Sequence, residues 1–140
     1  MELLESIRKI NDMDLREFEK LSSSQKTSQI LKGFKSYYSC QSKFNKAKSE
    51  DIKDRYFFET ERQFSLAVNM LRRLSSAELI DFVEKVKARM LNAIEEQDKS
   101  KAIFNNIFYG TIIRQVSSIS EDIADELLQL KIQMDDILEK

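Results

Sequence analysis

A chain of 140 residues with no proline and only two glycines, Gly33 and Gly110, has few residues suited to turns. Proline presets φ and glycine opens positive φ, so turn-rich β architectures draw on both, whereas helix interiors exclude them. This scarcity predicts an all-α fold. Apolar residues make up 41%, including nine Phe and four Tyr, which is enough for a buried core and too much for a disordered chain. The length fits one domain, and charged residues at 34% fit salt-laced helix surfaces.

Serine marks the breaks. Ser23 or Ser24, Ser49, Ser75, and Ser118 or Ser120 each precede a periodic apolar stretch, and a serine hydroxyl can accept from an orphan amide of a first helical turn. Ser75-Ser76-Ala77-Glu78 and Ser118-Ile119-Ser120-Glu121 match the capping box. The resulting helices lie near 2–21, with a break at Asn11-Asp12, then a basic helix at about 25–47. Two more, at 50–74 and 76–97, are joined tightly at Ser75-Ser76 into a helical hairpin of about 50–97. A C-terminal helical region covers about 100–139. One face of the third helix carries Phe57, Thr60, Phe64, Ala67, Leu71 and Leu74; one face of the fourth carries Leu79, Val83, Val86, Met90 and Ile94.

The clearest pattern is C-terminal. Ile113, Val116, Ser120, Ile123, Leu127, Leu130, Met134 and Ile137 alternate spacings of three and four, a heptad seam with Ser120 its one polar member. Unbroken, residues 101–139 would form a helix of roughly 58 Å; broken near 117–120, they would form a helical hairpin. The expected architecture is a single-domain bundle of four or five helices with a long, coiled-coil-like C-terminal helix, kinked or broken near those serines. Ser49-Glu50-Asp51-Ile52-Lys53-Asp54 also echoes Ser120-Glu121-Asp122-Ile123-Ala124-Asp125. A duplicated helical unit would explain this, but both are good helix starts, with a serine cap and acids at the positive end of the dipole, and convergent capping is the preferred reading.

The chemistry available is narrow. Without histidine there is no nucleophile–histidine pair and no Cys/His zinc site. With one cysteine, Cys40, no intrachain disulfide can close. Two distant glycines cannot write a phosphate loop. Glu78, Asp81, Glu121, Asp122, Asp125 and Glu126 leave a remote reading as a Mg²⁺-dependent hydrolase with an all-carboxylate site, but capping and solvation explain those acids. No enzyme activity, catalytic residue, metal or cofactor is expected. No apolar run reaches the roughly 18 residues of a membrane span, and Met1-Glu2-Leu3-Leu4-Glu5 lacks a signal peptide's basic and apolar regions. A cytoplasmic location, or a nuclear one, is therefore expected.

The second helix stands apart. Between Leu21 and Ser49 there is no acid, while Lys26, Lys32, Lys35, Lys43, Lys46 and Lys48 are present. Lys32, Lys35, Lys43 and Lys46 fall within an arc of roughly 80°, opposite Ile30, Leu31, Phe34, Tyr37, Tyr38 and Phe44. This face could meet an anionic partner: a phosphate backbone, a membrane surface or an acidic protein. Residues 117–140 carry Glu121, Asp122, Asp125, Glu126, Asp135, Asp136 and Glu139 against Lys131 and Lys140, so basic helix and acidic tail could also pair within a bundle or between copies. The functional expectation is a non-enzymatic protein-interaction or regulatory module acting through helix faces and self-associating through Ile113, Val116, Ile123, Leu127, Leu130, Met134 and Ile137. The alternative is a nucleic-acid-binding accessory protein using Lys32, Lys35, Lys43 and Lys46.

Overall fold

The computed structural model describes residues 2–139 and is all-α. Among the described residues there are six helices: α1 (Glu2–Glu19), α2 (Ser23–Lys46), α3 (Glu50–Arg72), α4 (Ser76–Glu96), α5 (Lys99–Ile119) and α6 (Glu121–Glu139). The chain divides into two compact units, Met1–Arg73 and Leu74–Lys140. The division falls beside Ser75-Ser76.

Serine hydroxyls set four helix starts. The Ser49 Oγ accepts from the Ile52 amide at 3.3 Å, and the Ser120 Oγ from the Ile123 amide at 3.4 Å. The box at Ser75 forms as expected: its Oγ accepts from the Glu78 amide at 3.2 Å and Glu78 accepts from the Ser75 amide at 2.9 Å. A second box starts α2, with Ser22 and Gln25 in the two roles, one or two residues earlier than the Ser23 or Ser24 expected. Ser118 does not cap. Its hydroxyl donates back to the Gln115 carbonyl at 2.7 Å inside α5. Exposed serine caps of this kind contribute about 1 kcal/mol each.

In the first unit α3 is central. α2 folds back along it, with Phe34 against Phe64 (centroids 6.3 Å) and Phe44 near Phe57 (6.2 Å). α1 runs beside α3 in the same direction. Asn11 Nδ2 donates to the Arg62 carbonyl at 3.3 Å, and Glu19 pairs with Arg73 at 2.6 Å. The expected break at Asn11-Asp12 is absent: Asn11 is buried and reaches into the unit's interior from an unbroken helix. The core is Ile7, Leu15, Phe18, Ile30, Leu31, Phe34, Leu66, Ala67, Met70 and Leu71. Gly33 sits mid-helix, where glycine ordinarily costs about 1 kcal/mol relative to alanine. Its position follows from a close approach, since a Cβ there would lie 3.1 Å from the Ala67 Cβ.

The second unit repeats this plan internally. α6 is central, α5 folds back along it, and α4 runs beside it in the same direction. The core is Leu79, Phe82, Val83, Val86, Met90, Phe108, Tyr109, Ile112, Ile113, Val116, Ala124, Leu127, Leu130 and Met134. A Cβ on Gly110 of α5 would meet the Lys131 Cε of α6 at 3.1 Å. Along one straight helix those residues would be separated by about 30 Å. The long coiled-coil-like C-terminal helix is therefore corrected to an antiparallel hairpin broken at Ser120. In both units the echoed Ser-Glu-Asp-Ile-x-Asp segment opens the central helix.

The Gly33–Ala67 contact predicts that Gly33→Leu, which has no room, will separate α2 from α3 despite leucine's better helix propensity. A destabilisation of about 1–2 kcal/mol, seen as a Tm about 5 °C lower or more by circular dichroism, is expected. An unchanged or raised Tm would contradict the close packing.

Candidate functional site

The lysine face of α2 is built as the sequence reading places it. Ile30, Leu31 and Phe34 are buried against the rest of the first unit, Tyr37, Tyr38 and Phe44 are half-buried, and Lys32, Lys35, Lys43 and Lys46 are exposed. Lys43 lies over the Tyr56 ring, its Nζ 5.9 Å from the centroid. Among the described residues none of these four lysines enters an ion pair with a carboxylate. The ridge from Lys32 to Lys46 extends about 21 Å. Lys26 is not part of it, being buried with its Nζ 5.6 Å from the Phe18 ring centroid.

The heptad seam meets a different fate. Ile113, Val116, Leu127, Leu130 and Met134 are buried and Ile123 is half-buried; the Ile137 side chain lies outside the described residues. These side chains pack within the second unit, because folding α5 back on α6 turns the seam inward. As the surface for self-association, the seam is already spent on the unit's own core.

Three exposed aliphatics of α4 and α6 were not singled out from the sequence, whereas Phe57, placed there on the apolar face of α3, is 46% exposed. Ile80 is 53% exposed on α4; Leu128 and Ile132 are 45% and 51% exposed on α6. Ile80 follows the seam-type position Leu79 and Leu128 follows Leu127, each one residue off the buried face. A helix with more aliphatics than its core stripe needs carries that signal, and α6 does.

Two grooves flank the first turns of α6. One, of about 260 Å³ between α4 and α6, is lined by Ile80, Val83, Glu84, Asp122, Ile123 and Glu126. The Lys87 Nζ, 3.3 Å from a Glu126 carboxylate oxygen, is the cation beside it. The other, of about 220 Å³ between α5 and α6, is lined by Ile113, Ser117, Glu121, Ala124, Asp125 and Leu128. Helical spacing sorts the acids: Glu121 and Asp125 line one groove, Asp122 and Glu126 the other.

The carboxylates considered for a metal site are not gathered for one. Among the described residues no group of three or more His, Cys, Asp or Glu side chains is arranged to hold a metal ion. Asp81 instead pairs with Lys85 at 3.0 Å, and Glu78 closes its capping box. Burial pushes the Cys40 thiol above its ordinary range, and the neighbouring Glu59 carboxylate adds to this against the opposing pull of Lys43 and Arg62. A raised pKa lowers the thiolate fraction, the reverse of what an activated nucleophile requires. Among the described residues no helix is long and apolar enough to cross a membrane. No protein-family model matches the chain, nor does any curated protein or solved structure.

Proposed function

We propose that the protein is a non-enzymatic interaction module that works through helix faces and associates with a second copy of itself through the outer edge of α6. The observation that carries this reading is the pair Leu128 and Ile132, one helical turn apart and about half exposed. Beside them lies the groove floored by Ile113 and Ala124. Adjacent exposed aliphatics favour association, because covering them removes apolar area from water. A twofold pairing would place the same edge of each copy against the other. The missing histidine and the suppressed Cys40 thiol support a non-catalytic role.

Light scattering tests this. The unsubstituted protein is expected to run as a dimer, and Leu128→Glu with Ile132→Glu as a monomer. Both side chains are exposed, so helix content and Tm should barely change, within about 0.5 kcal/mol of stability per site. A monomeric starting protein at high micromolar concentration would contradict the reading.

The exposure of all four ridge lysines favours a second reading, as a nucleic-acid-binding accessory protein tracking a phosphate backbone. Binding to a DNA or RNA duplex would then fall with salt at a log–log slope of about −3 to −4, near −0.9 per phosphate neutralised. Changing Lys32, Lys35, Lys43 and Lys46 to Glu would abolish it. No binding at low salt would remove this reading.

A further inference from the structure

The groove between α4 and α6 combines an aliphatic floor with an acidic rim. Its floor is aliphatic: Val83 is buried, Ile123 half-buried, and Ile80 stands exposed at the edge. Its polar rim is acidic, formed by the exposed carboxylates of Glu84, Asp122 and Glu126, with Lys87 paired to Glu126 beside it. The helix dipole accounts for Asp122 in the first turn of α6. It does not account for Glu126, a turn further on, nor for Glu84, more than two turns into α4. A cationic occupant with an apolar anchor would complement the acidic rim while covering the floor.

We propose that this groove is a docking site for a basic amphipathic helix of another protein. An aliphatic anchor would sit over Val83 and Ile123, and Lys or Arg side chains one turn to either side would reach Glu84, Asp122 and Glu126. This is the helix-in-groove mode, with anchors at i, i+3 or i+4, and i+7. The volume of about 260 Å³ fits one large aliphatic anchor rather than a long apolar stripe, so the charges carry much of the selectivity. The chain's own basic helix is a poor occupant: Ile30, Leu31 and Phe34 of α2 are buried in the first unit, leaving lysines with no anchor to offer. The groove is distinct from the Leu128–Ile132 edge assigned to self-association, so either assignment can fail without the other.

The probe is a fluorescein-labelled helical peptide of Leu and Lys, with leucines at i, i+3, i+4 and i+7, followed by fluorescence anisotropy against the full chain. Saturable binding that weakens with salt is expected, together with no binding of the same peptide carrying Glu for Lys. Asp122→Lys with Glu126→Lys, and separately Ile80→Ser, should each weaken binding about tenfold or more. Glu95→Lys with Glu96→Lys makes the same change in net charge at exposed sites outside the groove and should have little effect. Circular dichroism of each variant checks that the fold is kept; Asp122→Lys with Glu126→Lys should lower Tm slightly, since it loses a first-turn acid and the Lys87 pair, and Ile80→Ser should leave Tm nearly unchanged. Absence of binding overturns the proposal. So does equal weakening by the Glu95 and Glu96 variant, which would reduce the effect to general charge attraction. Loss of dimer in light scattering on changing Lys32, Lys35, Lys43 and Lys46 to Glu, with no peptide bound, would instead make a second copy's α2 the occupant and overturn it equally.

Discussion

One residue separates α5 from α6, and the fate of the chain's longest apolar seam depends on it. Ser120 ends one helix and caps the next, its hydroxyl accepting from the Ile123 amide. Had the helix run on, Ile113 to Met134 would have formed a single exposed stripe requiring a partner. Because it turns there, the two halves of the stripe face each other and Val116, Leu127 and Met134 are buried within one unit. The hydrophobic effect is indifferent to whether its partner surface lies on the same chain. The break decides which it is.

The same economy of means shapes both units. With proline absent and glycine nearly so, helix boundaries fall to serine hydroxyls: Ser22, Ser49, Ser75 and Ser120 each satisfy an amide of a first turn. In each unit the third helix is the one both others pack upon, and in each it opens with the echoed segment. Capping explains the residues of that segment. It does not explain why the segment recurs on the central helix both times, a correspondence that became visible only with the packing. Both glycines lie inside helices rather than at turns, and Gly33 serves a close approach of α2 to Ala67 of α3.

Helix content and most boundaries were legible in the sequence because they rest on local chemistry, as at Ser75 with Glu78. The buried faces of α2 and α4 were legible from spacing alone. Partner choice between helices was not. Within its own unit α3 packs with α2 and α1, and within the other α4 packs with α6, pairings that periodicity alone does not name. Asn11 looked like a helix breaker because its propensity is poor; α1 runs through it unbroken, with its Nδ2 donating to the Arg62 carbonyl. The seam was read correctly as apolar but assigned to association, since periodicity cannot tell an inward stripe from an outward one. Conversely Ile80 and Leu128, one position off the buried stripes, and Ile132, midway between Leu130 and Met134, drew no notice until their exposure was known.

The two surfaces proposed on α6 follow from the C-terminal seam being folded inward, which leaves the off-seam aliphatics and the acidic groove rims as the outer faces. The distance between spin labels at Lys101→Cys and Asp136→Cys, in a Cys40→Ser background, tests this most directly. Both positions are exposed, and electron–electron dipolar spectroscopy resolves the alternatives. A hairpin broken at Ser120 brings the label sites onto neighbouring helices whose axes are about 8–10 Å apart, giving a short distance. A distribution centred near about 52 Å, the length of one continuous helix between those sites, would contradict the account.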